Sequence, residues 1–315
     1  MNNSTRPKIK YHTTGAMLVK MNVLVVGASG LIGYEFYRQY KRMKNWFFTY
    51  HTHKLDDFIP LDATDETRTK EIIAHLSPDI VILPAAMPDV NRCETDRDNA
   101  RKNNVGIVQN VIRAMVTSGK GKLIFFSTDY IFDGKLGPYS ETDKPTPINY
   151  YGKLKLECEE LIRSSELGHL IIRTTGVFGF EYRRKNFFYR VFDTLSAGKP
   201  LEVPNDQFGN PTYVRDLVSA IMTLIEKKCS GTYNVVGPDC ISREEFAQKI
   251  AKTFSLDEKL IVGKPTPHFK DVAPRPLNAG FKTEKIKTLG IRMKGPEIAL
   301  KDMQARKSKD DVYPK

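Results

Sequence analysis

Short runs of apolar, often β-branched residues recur along the first half of the chain. They are Asn22-Val23-Leu24-Val25-Val26, Trp46-Phe47-Phe48-Thr49-Tyr50, Asp79-Ile80-Val81-Ile82-Leu83, Leu123-Ile124-Phe125-Phe126 and Leu170-Ile171-Ile172-Arg173. A run with no polar alternation has no solvent face, so each reads as a strand buried on both sides. Between the runs the period changes to that of a helix. One helical pattern carries Phe36, Tyr37 and Tyr40, a second spans Glu66 to Leu76, a third continues from the Asp89 to Gln109 region to Val116, and a fourth passes through Glu159 and Leu161. Thr64 or Asp65 is a candidate N-cap for the second helix, and Ser77-Pro78 breaks it. Strands alternating with helices at about thirty residues per unit predict an α/β fold, a doubly wound, Rossmann-like parallel sheet.

Two junctions in this pattern carry chemistry. The first strand runs straight into Gly27-Ala28-Ser29-Gly30-Leu31-Ile32-Gly33 and then a helix. Small residues at this spacing let the backbone turn sharply and approach a pyrophosphate held by the free N–H groups of the helix N-terminus. An ordinary strand–helix turn can share that composition; strand before and helix after is the context that favours a dinucleotide. Gly27, Ser29, Gly30, Leu31, Ile32 and Gly33 are therefore candidate cofactor residues. At the end of the second strand an acid would suit the ribose of NAD, whereas basic residues suit the 2′-phosphate of NADP. His51, Thr52, His53 and Lys54 stand there, ahead of Asp56 and Asp57. That favours NADPH and leaves NADH open, although plain loops also carry His and Lys. Pro84-Ala85-Ala86 is a small-residue loop where backbone can meet cofactor.

At the second junction, Phe126 is followed by Ser127-Thr128-Asp129-Tyr130-Ile131-Phe132-Asp133-Gly134, a proline-rich loop, and Tyr151-Gly152-Lys153-Leu154-Lys155. Tyr151 and Lys155 share a helix face. A cation held there favours the phenolate and lowers the tyrosine pKa from its free value of about 10, giving a general acid with a hydroxyl nearby to orient a substrate oxygen. Surface helices carry such pairs often. In a doubly wound sheet, however, ligands gather at the carboxyl ends of strands, so Thr128 and the glycine loop can face one crevice.

Composition narrows the class. Of 315 residues, 40% are hydrophobic and 27% charged, as in soluble globular chains, and no run is long enough for a membrane span. The N-terminal stretch lacks the apolar core of a secretory signal. Cys93, Cys158, Cys229 and Cys240 are scattered without CxxC spacing, which predicts no metal site and a reducing, cytoplasmic setting. The formal charge of +12 comes from 49 Lys+Arg against 37 Asp+Glu spread along the chain. It reads as a solvated surface, since no basic stripe with interleaved aromatics supports nucleic-acid binding.

Together, the glycine loop, the Ser-Thr-Asp-Tyr block, Tyr151-Gly152-Lys153-x-Lys155, Asp206-Gln207-x-Gly209-x-Pro211-Thr212 and Arg275-Pro276-x-Asn278 resemble extended short-chain dehydrogenases/reductases, in particular the dTDP-4-dehydrorhamnose reductase branch. The resemblance covers roughly residues 21 to 295. It implies that Thr128 bonds the sugar keto oxygen, Tyr151 gives the proton, and Lys155 tunes it and binds the nicotinamide ribose. It places Asp62 and Ala63 around the adenine, beside the candidate cofactor residue His51 at the end of the second strand, with Ala85 and Ala86 along the dinucleotide path and Asn104 as a structural asparagine. Asp129, Asn186, Gln207 and Arg275 would bind a nucleotide-sugar substrate. Pro84 and Met87 depart from the branch's usual residues, and Phe180 to Lys185 matches poorly. The implied function is NADPH-dependent reduction of dTDP-4-dehydrorhamnose, with a homodimer compatible with it. The alternative is a non-catalytic, NADP-binding regulatory subunit resembling the methionine adenosyltransferase β-subunit. The expected organisation is a disordered basic tail over 1–20, a dinucleotide-binding domain over 21–175 completed by a helix and strand from about 212–238, a smaller substrate-binding lobe over 176–211 and 239–300, and a basic tail over 301–315.

Overall fold

The protein is described by a computed structural model covering residues 20–55 and 57–310. The tail expected over residues 1–20 lies outside them apart from Lys20, as do Asp56 and residues 311–315. All five predicted apolar runs are strands of one seven-stranded sheet. Its order is Gly231–Asn234, Gly168–Thr174, Lys122–Thr128, Ile80–Leu83, Val23–Val25, Trp46–Tyr50 and Ile59–Pro60, with every pairing parallel. The chain winds outward one way from Val23–Val25 and then returns to wind the other way. The switch point therefore falls between Val23–Val25 and Ile80–Leu83, where strand ends open a crevice.

Because side chains alternate along a strand, the sheet feeds two cores. Val23, Val25, Ile80, Ile82, Ile124 and Leu170 enter one. Leu24, Val81, Leu83, Leu123, Phe125 and Ile171 enter the other. The helix Glu66–Leu76 is capped by Asp65, whose side chain accepts from Arg68 N–H, and ends at Ser77 in a left-handed conformation. The helix Ile107–Ser118 is preceded by a π-helical turn, Lys102–Gly106, which holds Asn104.

Beyond Thr174 a second lobe packs the helices Phe187–Ser196, Arg243–Phe254 and Pro296–Asp310 around Phe178, Phe188 and Phe246. Residues 301–310, expected within a basic tail, continue the last of these helices. Ala299, Leu300 and Met303 are buried in the lobe's core, so one apolar residue within the basic segment, Met303, continues the buried face begun by Ala299 and Leu300.

One buried contact joins the sheet to the helix Tyr150–Ser164. Arg173 donates from Nε to Glu159 Oε1 at 3.0 Å and from Nη2 to Oε2 at 2.8 Å, with both residues buried. Arg163 adds a third donor to the same carboxylate. Burial works to raise the Glu159 pKa, but the hydrogen bonds and charge of Arg173 hold it below the usual glutamate range. A carboxylate with a lowered folded pKa contributes stability above its unfolded value, about 4.3, and that contribution disappears as pH falls through the folded value. Glu159→Ala, which strands the Arg173 charge in the core, is expected to cost about 3–5 kcal/mol. The shift in urea midpoint at pH 7 measures it, and the deficit relative to wild type should shrink in acid.

Candidate active site

The glycine loop is shaped from within. Gly27 has φ +85°, and a Cβ there would meet Ala85 Cβ at 2.7 Å. Thr49 pins the loop to the next strand: its Oγ1 accepts from Gly27 N–H at 3.1 Å and its carbonyl from Ala28 N–H at 2.7 Å. A Cβ on Gly33 would meet Ala28 Cα at 2.6 Å. Gly30 differs, because its nearest neighbour would be Gly27 O at 3.6 Å. Among the described residues no contact requires glycine at 30, which leaves a cradle open to a ligand's close approach. Gly30 is also the N-cap of the helix Leu31–Tyr40 and makes no side-chain cap, so the helix N-terminus keeps donors for an anion.

Beyond the outer strands, Asp62 accepts from both Thr64 N–H and Thr64 Oγ1, at 2.9 and 2.8 Å, and His51 Nε2 lies 3.6 Å from its Oδ2. The carbonyl of the buried Ala63 accepts from Asn110. His53 is pushed toward its neutral form by burial and then by Arg183 and Lys185. Those two cations were visible only as part of a basic, aromatic stretch; the fold brings them to the end of the second strand. The Tyr182 ring stands edge-on to the His53 ring, with centroids 6.3 Å apart. Asn104 donates to Ala100 O at 2.9 Å, and its Oδ1 is buried without a partner.

A cleft of about 810 Å³ opens at the carboxyl ends of the strands. Ile32, Pro84 and Ala86 line the side nearest the glycine loop, Thr128, Asp129, Tyr151 and Lys155 its floor, and Lys185, Arg190, Gln207, Arg243 and Arg275 its far wall. The volume suits a small-molecule ligand. Tyr151 and Lys155 lie on the buried face of one helix, as their spacing predicts. Their electrostatics differ from expectation. Burial, then Asp129, pushes the Tyr151 phenol above its ordinary value, while burial lowers the Lys155 ammonium. The lysine Nζ sits 4.3 Å from the centre of the Phe125 ring, a cation–π contact that offsets only part of its lost hydration. Desolvation outweighs the helical proximity on which a lowered tyrosine pKa was expected.

The substrate-side expectations divide. Asp129 and Gln207 line the cleft. Asn186 is turned into its own loop, where Nδ2 donates to Gly179 O and Glu181 Oε2, both at 3.1 Å. It does not line the cleft, because the buried Glu181 carboxylate gathers the donors of that turn. Arg275 faces the cleft but gives Nε to Asp271 at 3.1 Å and Nη2 to Asn91 at 2.9 Å. Arg243 had no motif to mark it. It opens the helix Arg243–Phe254 and donates to Gln207 Oε1 at 3.0 Å, and Gln207 in turn donates to Thr266 Oγ1 at 3.0 Å.

Residues 21–308 match the family model described as RmlD substrate binding domain. The chain belongs to this family. In sequence it is 32% identical over 292 residues to the spore coat polysaccharide biosynthesis protein SpsK of Bacillus subtilis, covering 92% of this chain and 99% of that one. It is 30% identical over 296 residues to mouse methionine adenosyltransferase 2 subunit beta, covering 87% and 84%. The crystal structure of dTDP-4-dehydrorhamnose reductase from Bacillus anthracis in complex with NADP superposes with a TM-score of 0.83 at 28% identity, over 91% of this chain and 99% of that one. RmlD-family membership places the protein in the dTDP-4-dehydrorhamnose reductase branch of the extended short-chain dehydrogenases/reductases. Among the described residues no helix is long and apolar enough to cross a membrane.

The two glycine environments give separable outcomes. Gly30→Ala is expected to keep stability within about 0.5 kcal/mol yet weaken NADPH binding, read by titration of cofactor fluorescence. Gly33→Ala is expected to cost about 1–3 kcal/mol in thermal unfolding, because its Cβ collides with backbone.

Proposed function

We propose that the protein is an NADPH-dependent reductase of a nucleotide-linked 4-keto-6-deoxysugar, converting dTDP-4-dehydrorhamnose to dTDP-L-rhamnose. The observation that carries this reading is the convergence of Thr128, Tyr151 and Lys155 on one cleft whose near wall is the glycine-loop side and whose far wall is cationic. The Gly27–Gly33 loop would hold NADPH, which would supply the hydride. Arg183 and Lys185, near His53, suit its 2′-phosphate.

The raised pKa of Tyr151 keeps its phenol protonated at neutral pH, so its O–H is available to donate to the keto oxygen. Lys155 stands one helical turn further along the same face, where its charge offsets the phenolate left once the proton has moved. Lys185, Arg190 and Arg243 supply donors and positive charge for a nucleotide diphosphate. Arg275, partly neutralised by Asp271, contributes the edge of its guanidinium that remains.

The 30% identity to a methionine adenosyltransferase β-subunit favours a second reading, an NADP-binding regulatory subunit without catalysis of its own. A panel of dTDP-, UDP- and GDP-linked 4-keto sugars with NADPH and NADH separates the two. Reduced-cofactor absorbance should fall with a dTDP-linked substrate. Tyr151→Phe is expected to lower kcat by about 10²-fold or more while NADPH binding is retained. No turnover across the panel, together with stoichiometric co-purification of a catalytic partner, would establish the regulatory reading instead.

A further inference from the structure

Asp129 lies on the cleft floor, buried between two hydroxyls. Its Oδ1 is 2.9 Å from Thr128 Oγ1 and its Oδ2 is 2.7 Å from Thr175 Oγ1. Thr128 Oγ1 also accepts from Tyr130 N–H at 3.3 Å. A threonine hydroxyl has one proton and two lone pairs, and an ionised carboxylate only accepts. While Asp129 is ionised, the Thr128 proton is committed to it, and Thr128 can offer the cleft nothing but lone-pair density. A ketone oxygen is also only an acceptor, so the two would repel. When Asp129 carries a proton, its own O–H can donate to Thr128 Oγ1, and the threonine proton is free to turn toward the cleft.

The charged and titratable groups facing Asp129 are Arg243 from the helix Arg243–Phe254, Tyr151 from the helix Tyr150–Ser164, and Cys240 from the segment before Ile241. Of these, Arg243 supports the ionised form, and it is shared with Gln207. Burial is the largest influence on Asp129 and outweighs the two hydroxyls and Arg243, raising it above the usual carboxylate range.

We propose that Asp129 is a positioning residue whose proton converts Thr128 from a hydrogen-bond acceptor into a donor, so that the neutral pair receives a keto substrate and the ionised pair receives the corresponding alcohol. The proposal rests on the ketone-reductase reading above. No bond to carbon changes at Asp129, and its proton stays within the pair, while Tyr151 supplies the proton that the product retains. Keto reduction is therefore favoured at low pH. Its kcat/KM should fall by up to about tenfold per pH unit as pH rises through the Asp129 titration, at lower pH than any decline from Tyr151.

Two measurements on the full-length protein test this. The first compares pH profiles of keto reduction for wild type, Asp129→Asn, Thr128→Val and Thr128→Ser. In Asp129→Asn the amide can donate permanently to Thr128, so the first decline should vanish; it should vanish in Thr128→Val as well and return in Thr128→Ser. An unchanged decline in Asp129→Asn, or coincident wild-type and Thr128→Val profiles, overturns the proposal. The second follows the carboxyl ¹³C resonance of Asp129 in aspartate-labelled protein, assigned by its absence from Asp129→Asn. It should titrate above the ordinary aspartate value of about 3.9 and move in Thr128→Val. An ordinary midpoint overturns the switch whatever the turnover. A raised, Thr128-sensitive midpoint with no turnover of any keto sugar supports the switch and overturns the reductase assignment alone.

Discussion

Glu159 and Arg173 meet with both carboxylate oxygens paired, at the point where the helix carrying Tyr151 crosses the sheet. Removing two charges from water is costly, and only a register that pairs them fully is tolerated. Tyr151, Lys155 and Glu159 recur every four residues, so they form one stripe of the helix, running from the cleft down to this pair. On the strand, Arg173 is followed by Thr174 and then Thr175, which holds Asp129. The ion pair thus sets, from opposite sides, the height of the tyrosine hydroxyl and the position of the hydroxyl–carboxylate group it faces.

The approach of that helix to the preceding loop is closer than a side chain permits. A Cβ on Gly152 would lie 2.0 Å from Tyr130 O. Asn149 caps the helix by accepting from Gly152 N–H and donates to Pro274 O at 2.9 Å in the second lobe. Asn91 makes a parallel link, donating to Asp271 and accepting from Arg275. The cleft is therefore bounded by hydrogen bonds between residues far apart in sequence, and its cationic wall is held in place by neutral amides as well as by acids.

Burial governs the electrostatics of the floor. It raises Tyr151 and Asp129 and lowers Lys155, in each case favouring the neutral form. Burial thus opposes charge on the floor, while Lys185, Arg190, Arg243 and Arg275 stand on the far wall. This division explains why a helical Tyr–Lys spacing, read alone, leads to the wrong direction for the tyrosine pKa.

Local pattern was enough for much of the protein. Short continuous apolar runs rich in β-branched and aromatic residues fit buried strands, and their alternation with helices led to the parallel sheet. Short motifs likewise marked the glycine loop, Thr128, Tyr151, Lys155, Gln207 and Arg275, because each is specified by neighbours within a few residues. The remaining features depend on contacts between distant segments. Arg243 is held at the cleft by Gln207, which lies 36 residues earlier and accepts its hydrogen bond; Asn186 is a local exception, withdrawn by Glu181 within its own turn. The last helix docks through Ala299, Leu300 and Met303, and only Met303 lies beyond the expected end of the lobe at 300. Periodicity determines which face of an element is buried; which partner it meets there, and whether a charge survives the meeting, is decided by packing and desolvation in the assembled tertiary structure.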